Sequence, residues 1–352
     1  MLRDLALLIL VAAAFAFPQV AHAKPIHEER FVSIGGIEQW ITIHGTDSAN
    51  PVLLVLHGGP GDALSPYANS LFPGWDKDFT MVEWDQRGAG RTYGKTGPSI
   101  ESTMTIERMT KDGVEIAQYL TQHLGKRKLV LAGGSWGAIL GMHMVHARPD
   151  LFYAFVAQSV VVNFKNELSV SYARVLEMAE AANDQKTITA LNSIGPPLWK
   201  TLFPQWRIYR NAERAYQAKL ATAPNPAMRT DAAYASPAER TQYAEAEEFS
   251  MFHFWAGRQP KSQADAGNLT LSGPLIETDL RGLGTEYKIP LYFLEGEHDL
   301  TAPPELAKTY FLSIRAPQKD FYIVPGNGHE PSQAMIDLTH KVLLERVKPL
   351  TK

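Results

Sequence analysis

The feature that most constrains this chain is a glycine-flanked serine between two apolar segments. The run Leu129–Ala132 leads into Gly133-Gly134-Ser135-Trp136-Gly137, and a helical apolar pattern covers Trp136–His146. An apolar run of this length bounded by glycine predicts a buried strand. Glycines at the two outer positions of G-x-S-x-G allow a sharp, crowded turn that lifts the serine hydroxyl above the end of the strand. We therefore expect Ser135 to be an exposed nucleophile at the edge of a sheet.

Apolar strand patterns alternate with helical patterns along the rest of the chain. Alternation of this kind predicts an α/β fold, in which a mostly parallel sheet is flanked by helices. The predicted strands are Phe31–Ile34, Ile37–Ile43, Val52–Leu56, Phe79–Trp84, Lys128–Ala132, Phe155–Val162, Leu291–Leu294 and Asp320–Val324. The predicted helices around them are Ile106–Leu124, Trp136–His146, Glu305–Ile314 and Ser332–Val347.

One long segment lacks strand patterns. Residues 164–287 contain Ala- and Glu-rich helical stretches, such as Ser171–Asn183 and Ser236–Phe252, separated by proline-rich breaks. We interpret residues 164–287 as a helical cap inserted into a catalytic domain that comprises residues 24–163 and 288–352. Such a cap is expected to cover the carboxyl edge of the sheet.

An acid and a base follow the last two predicted strands. Asp299 and His329 both fall where the carboxyl end of a strand meets a loop, the edge at which open α/β sheets place their sites. The order serine, acid, histidine is that of an acyl-transfer triad on this type of sheet. Glu295, Glu297 and His298 compete for the acid position, and Asp299 is preferred because it lies farthest into the loop, next to a helix start.

A glycine-rich segment, His57-Gly58-Gly59-Pro60-Gly61, follows the third predicted strand. Glycines let the backbone approach a developing oxyanion closely, and a loop at this position commonly supplies one of the two backbone donors. We expect the donors to be the backbone N–H groups of Gly59 and Trp136. Taken alone, the segment would read as a Gly/Pro turn with a structural histidine.

Three motifs together resemble the proline iminopeptidase (prolyl aminopeptidase) group of α/β-hydrolases. They are HGGPG at His57–Gly61, DQRGAGR at Asp85–Arg91 and GGSWG at Gly133–Gly137, and the resemblance extends from about Phe31 to the C-terminus, weakest in the cap. It implies an α/β-hydrolase fold and a serine peptidase that releases an N-terminal residue, typically proline, from small peptides. It also implies that carboxylates of the cap bind the free amine of the substrate.

The amine-binding carboxylates are less evident than the triad. Glu245, Glu247 and Glu248 precede an aromatic stretch from Phe249 to Trp255 and are the candidates for substrate binding. A pocket for an amine needs a carboxylate facing the nucleophile, with aromatic walls for a prolyl ring. The alternative is that these glutamates form a solvated helix face and that the aromatic residues belong to the core of the cap.

Two other functions use the same sequence features. A carboxylesterase or a lactone/amide hydrolase would keep the triad and oxyanion loop, since both serve esters and amides, while its cap accepted a neutral acyl substrate. A non-catalytic binding protein could also retain the fold, although the presence of nucleophile, base, acid and oxyanion glycine argues against it. If the protein is an aminopeptidase, its substrate is a small peptide; if it is an esterase or amide hydrolase, its substrate is a small ester or amide.

Composition excludes several other classes. The net charge is −3, with no clustered Lys or Arg, so no nucleic-acid partner is expected. The chain has no cysteine, which rules out disulfides, thiolate metal sites and a cysteine nucleophile. His143 and His146 have helical spacing but no third ligand, and we interpret them as packing residues. No metal or cofactor is expected, and the sequence does not predict an oligomeric state.

The N-terminus resembles a secretory signal peptide. Arg3 precedes thirteen apolar residues, Leu5–Phe17, and Ala21-His22-Ala23 has the small residues of a cleavage site. The apolar run is shorter than the roughly 18 residues that a spanning helix needs. Residues 1–23 are therefore predicted to be removed after Ala23, leaving a periplasmic or secreted protein with no stable membrane span; the alternatives are a buried N-terminal helix or an uncleaved anchor.

Overall fold

The computed structural model describes residues 24–199 and 204–352, which contain one mixed eight-stranded sheet. The strands are β1 Ile26–Ile34, β2 Ile37–Gly45, β3 Val52–Leu56, β4 Thr80–Asp85, β5 Leu129–Gly134, β6 Phe152–Gln158, β7 Leu291–Gly296 and β8 Lys319–Val324. Their order in the sheet is β1-β2-β4-β3-β5-β6-β7-β8, and β3 to β8 are mutually parallel, whereas β1 and β2 pair antiparallel. The predicted α/β fold is confirmed.

The helices cover the sheet and form most of the segment between β6 and β7. The α-helices are α1 Ala68–Leu71, α2 Gly90–Thr96, α3 Ile106–His123, α4 Trp136–Ala147, α5 Phe164–Ala181, α6 Gln185–Ile194, α7 Gln205–Leu220, α8 Pro237–Ala256, α9 Gln263–Ala266, α10 Pro304–Ser313 and α11 Gln333–Val342. Helices α5 to α9 lie within the predicted insertion 164–287. The predicted C-terminal helix is confirmed as α11, which continues into a π-helical turn at Leu343–Val347.

Both faces of the central strands are buried, which explains their unbroken apolar sequences. In β3, Val52, Leu54 and Leu56 join the larger hydrophobic core, while Leu53 and Val55 join a second core on the opposite face. Side chains alternate across a strand, so a strand covered by helices on both sides has no position for a polar residue.

One strand prediction is wrong in its position. The predicted strand Phe155–Val162 instead runs from Phe152 to Gln158. Ser159 has a φ of 45°, in the left-handed region, and this turn takes Val160–Val162 out of the sheet. These valines are nevertheless buried, so their apolar character reflects packing in a loop rather than pairing in a strand.

The predicted signal peptide lies outside the described residues. Among residues 24–199 and 204–352, no helix has the length and apolar character needed to cross a membrane.

The arginine at the third position of the DQRGAGR segment holds α3 in place. Arg87 donates from Nε to Asp112 at 2.7 Å and from Nη2 to the other carboxylate oxygen at 3.2 Å. Its remaining donors reach the carbonyl of Gly35 at 2.9 Å and the hydroxyl of Thr103 at 3.0 Å. Arg87 is 1% exposed and Asp112 is fully buried, so this pair joins the turn after β1, the loop after β4 and α3 within the protein interior.

We predict that Asp112→Ala lowers the free energy of unfolding by about 3–5 kcal/mol, because a buried guanidinium loses its counter-charge. Chemical denaturation followed by circular dichroism measures the change. Lys111→Ala is the matched control on the same helix: its pair with Glu107 is solvent-exposed, so we expect a change of about 0.5 kcal/mol or less. Equal effects of the two substitutions would contradict a structural role for the buried pair.

Candidate active site

Ser135 lies in a strained turn between β5 and α4. Its φ is 53° and its ψ is −117°, a conformation that a residue with a Cβ adopts only when its surroundings hold it there. The backbone N–H of Ser135 donates to the carbonyl of Gln158 at the end of β6, at 3.0 Å. The turn therefore holds the serine at the carboxyl edge of the parallel strands.

The glycines of the motif are required by close backbone contacts. A Cβ at Gly137 would lie 2.4 Å from the carbonyl oxygen of Leu56 in β3. A Cβ at Gly133 would lie 2.7 Å from the carbonyl oxygen of Gly137. Neither position can accept a side chain without moving the backbone, which is the physical reason for the G-x-S-x-G spacing.

Three of the predicted site residues are joined by hydrogen bonds. His329, in the loop after β8, has Nε2 3.0 Å from Oγ of Ser135 and Nδ1 2.8 Å from Oδ2 of Asp299. Asp299 is fully buried, and its Oδ1 accepts the backbone N–H groups of Thr301 and Ala302 at 2.8 and 2.7 Å. The carboxylate favours a proton on Nδ1 and leaves Nε2 to accept the proton of the serine hydroxyl.

The carboxylate also sets the basicity of the imidazole. Burial of His329 disfavours its charged form, but the charge and hydrogen bond of Asp299, with a contribution from Glu330, outweigh burial and raise the pKa of His329 to about 9. Arg210 acts in the opposite direction. A histidine with a raised pKa is a stronger proton acceptor once it is neutral.

The competing residues of the acid loop have other partners. Glu295 is fully buried and accepts the backbone N–H of Val160, in the loop after β6, at 3.1 Å. Burial raises its pKa well above the ordinary value, and the charge of Asp299 adds to this effect. Glu297 accepts a backbone N–H in the loop after β8 at 2.9 Å, and His298 lies 3.6 Å from Glu297. Of these four candidates, Asp299 is the one hydrogen-bonded to His329.

His57 organises the loops around the serine. Its Nε2 accepts the backbone N–H of Gln86 at 3.3 Å, and its Nδ1 donates to the carbonyl of Gly58 at 2.9 Å. The side chain of Gln86 donates to the carbonyl of His57 and accepts the indole N–H of Trp136 at 2.9 Å. Burial lowers the pKa of His57 to about 4, so the imidazole stays neutral and joins the HGGPG, DQRGAGR and GGSWG segments.

The two residues predicted to donate to the oxyanion contribute to the same cavity as the serine. Gly59 and Trp136 line the same cavity as Ser135 and His329. Gly59 has a φ of 102°, and a Cβ there would lie 2.8 Å from the backbone nitrogen of Asp62. Gly58 packs against the serine turn: a Cβ on this residue would lie 3.8 Å from the Cβ of Ser135.

The cavity above Ser135 has a volume of about 470 Å³. Its floor is the carboxyl edge of the sheet, and helices α5, α7 and α8 of the insertion contribute to its walls. Apolar side chains from the helices include Phe164, Leu168, Trp206, Met251 and Trp255. Charged side chains also line it: Asp62, Glu247 and Glu330, and the arginines Arg207, Arg210 and Arg214 of α7.

The three predicted substrate glutamates are not brought together. Glu247 lines the cavity that contains Ser135. Glu245 lines a separate surface depression near Tyr93, and Glu248 lines neither. Burial and the charges of Glu245 and Glu248 raise the pKa of Tyr93, so both glutamates act on this tyrosine of the surface depression.

Sequence reasoning missed Glu330 and the arginines of α7. Glu330 is adjacent to His329, so its proximity to the site could have been anticipated. Arg207, Arg210 and Arg214 could not be assigned to the site from the sequence, because α7 itself was not predicted as a separate helix. Asp62, the residue that follows HGGPG, is accessible within the cavity while protein surrounds its carboxyl group. That burial, with the like charges of Glu247 and Glu330, raises the pKa of Asp62 to about 6.

The histidines on α4 lie apart from these charges. Burial, with the nearby His146, lowers the pKa of His143 to about 4, and the ring of His146 packs edge-on against Tyr287 at 6.1 Å between centroids. In the described part of the chain, no group of three or more His, Asp or Glu side chains is arranged to hold a metal ion.

The chain is similar in sequence to proteins named as aminopeptidases. The chain is 32% identical over 315 residues to "Probable aminopeptidase YbaC" of Bacillus subtilis (strain 168), covering 89% of this chain and 93% of that protein. It is 31% identical over 129 residues to a proline iminopeptidase of Arabidopsis thaliana, covering 36% of this chain and 31% of that protein.

Solved structures share the fold. The crystal structure of a proline iminopeptidase from Mycobacterium smegmatis superposes with a TM-score of 0.61 at 20% identity, covering 92% of this chain and 99% of that one. Residues 51–332 match the family described as alpha/beta hydrolase fold. The sheet order, the serine turn and the matched residues lead to one conclusion: the chain belongs to the α/β-hydrolase family and is a hydrolase.

Proposed function

We propose that this protein is a serine hydrolase that removes the N-terminal residue, proline or a similar residue, from small peptides. The observation that carries the proposal is the hydrogen-bonded series Ser135–His329–Asp299 at the floor of a cavity whose walls hold carboxylates. The aminopeptidase name of the Bacillus relative, which aligns over most of both chains, supports the same activity.

The proposed reaction proceeds through an acyl-enzyme. Oγ of Ser135 attacks the carbonyl carbon of the N-terminal residue while Nε2 of His329 takes the hydroxyl proton. His329 then gives that proton to the departing peptide amine, and the bond between the N-terminal residue and the peptide breaks. Asp299 holds the imidazole in position and stabilises its charged form. A water molecule, deprotonated by His329, hydrolyses the ester and regenerates the serine.

In this proposal the negative charge that develops on the carbonyl oxygen is stabilised by the backbone N–H groups of Gly59 and Trp136. Donors that are already in place when charge develops lower the barrier without reorganisation. The contacts of Gly58 and Gly137 with neighbouring backbone support this role, because they keep the two donor-bearing loops packed against the serine turn.

The free amine of the substrate is proposed to bind among Asp62, Glu247 and Glu330. Within the described residues none of the three is ion-paired, and Asp62 is influenced by the like charges of the other two. Carboxylates crowded at a cavity wall repel one another, and a bound ammonium group relieves that repulsion. Glu247 is the one of the three sequence-predicted glutamates that fits this site.

Export is part of the proposal. Residues 1–23 have the pattern of a cleaved signal peptide, and the mature enzyme would act on peptides in the periplasm or outside the cell.

We predict that N-acetylation of a prolyl anilide lowers kcat/KM by about 100-fold, because the blocked substrate cannot pair with the carboxylates. The measurement compares release of the aniline from prolyl p-nitroanilide and N-acetylprolyl p-nitroanilide. Equal rates on the two substrates would contradict the aminopeptidase proposal and favour an esterase or amidase that accepts neutral acyl groups.

Substitution of Glu247 tests the amine site directly. Glu247→Gln is expected to raise KM for the free-amine anilide about tenfold, since one carboxylate that neutralises the ammonium is lost. Glu248→Gln, one position along the same helix and outside the cavity, is expected to leave KM within about twofold. A larger effect at Glu248 than at Glu247 would show that the amine binds elsewhere.

The pH dependence of the serine's reactivity tests the triad. A fluorophosphonate reacts with Ser135 only while His329 is neutral, so the labelling rate falls as pH drops through the raised pKa of His329. We expect this fall to begin above pH 6.5, the ordinary histidine value. Asp299→Asn should move the fall to lower pH and reduce the maximum rate about a thousandfold.

Ser135→Ala is the control for labelling, and it should abolish incorporation of the reagent. Labelling of the Ser135→Ala protein, or no labelling of the folded native protein, would exclude Ser135 as the nucleophile.

A further inference from the structure

One face of α7 presents cationic and amide side chains to the cavity above Ser135. Arg207, Arg210, Asn211 and Arg214 all line that cavity. Their spacing of three, four and seven residues puts them on the same side of a helix. An enzyme that recognised only a free amine and an apolar side chain would not need this face.

Arg210 and Arg214 differ in whether a carboxylate of the protein pairs with them. Arg210 donates from Nη1 to Glu213 at 2.6 Å, and the other oxygen of Glu213 accepts the hydroxyl of Thr301 at 2.7 Å. The charge of Arg210 is thus offset by a buried carboxylate. Arg214 is exposed to the cavity and, among the residues that the structure describes, has no ion pair. Arg214 is therefore the cation that remains available to a ligand.

The opposite charge lies on another part of the cavity wall. The charges of Glu247 and Glu330 act on Asp62, and none of the three forms an ion pair with an arginine in the described part of the chain. Arg214 and these carboxylates therefore line one cavity without pairing with each other. A ligand with a cationic end and an anionic end would satisfy both groups at once.

We propose that the arginine face, centred on Arg214, binds the C-terminal carboxylate of short peptide substrates whose N-terminal ammonium binds at Asp62, Glu247 and Glu330. This inference rests on the proposed aminopeptidase function and narrows its substrates to dipeptides and tripeptides with both termini free. An extended chain advances about 3.3–3.6 Å per residue, so two or three residues span roughly 7–11 Å.

The carboxylate belongs to the leaving portion of the substrate. Its pairing with Arg214 holds the departing peptide while His329 delivers a proton to its new amine. A longer peptide, or one ending in an amide, loses this interaction even though its N-terminal residue binds in the same way.

Binding to an inactive protein tests the inference without cleavage. Isothermal titration calorimetry of the Ser135→Ala protein compares prolyl-leucine with prolyl-leucinamide, which lacks only the carboxylate. We expect the amide to bind about tenfold more weakly, which corresponds to about 1.4 kcal/mol. Arg214→Gln in the same background should weaken binding of the free acid about tenfold and leave binding of the amide unchanged.

Arg174→Gln is the matched control. Arg174 lies on α5 and pairs with Glu305 at 2.5 Å, and we expect its substitution to preserve the tenfold difference. Equal affinity for the acid and the amide, an undiminished difference in Arg214→Gln, or no binding of prolyl-leucine would overturn the carboxylate site.

The active protein separates this inference from the function on which it rests. Release of free proline from both peptides with equal KM would support the aminopeptidase and overturn the carboxylate site. Release from neither peptide would contradict the aminopeptidase proposal itself.

Discussion

The turn between β5 and α4 is the constraint on which the rest of the site depends. Ser135 keeps a φ of 53° because the glycines on either side let the first turn of α4 pack directly on the backbone of β3. A Cβ at Gly137 would come within 2.4 Å of the carbonyl oxygen of Leu56. Any side chain at this position would therefore force α4 away from β3. That approach brings the HGGPG loop, which begins at the end of β3, against the serine.

The helical insertion is coupled to the same site through α7. Gln217 donates to the carbonyl of His298 at 2.6 Å and accepts the backbone N–H of Leu300 at 2.9 Å, so it holds the backbone on both sides of Asp299. The face of α7 one turn away lines the substrate cavity. One helix thus positions the acid of the triad and also shapes the pocket, which links the identity of the substrate to the geometry of the reacting groups.

Much of the fold could be predicted from local patterns. Unbroken apolar runs such as Val52–Leu56 identified strands buried on both faces, and Asp299 and His329 could be named because loops after parallel strands meet at one edge. The same reasoning misplaced Phe155–Val162, since an apolar run does not distinguish a strand from a loop packed in the core. The end of that strand depends on the left-handed turn at Ser159, which no residue type in the run required.

The sequence by itself determined the features that local sterics control: the glycine-flanked turn at Ser135, the buried strands and the order of serine, acid and base. Only the tertiary structure decided which side chains share the cavity. His329 meets Asp299 from 30 residues away and Ser135 from 194, and no local pattern encodes such distances. Likewise Glu247 lines the cavity while Glu245 and Glu248 do not, because the rotation of α8 about its axis is set by packing against the sheet domain rather than by the helix's own sequence.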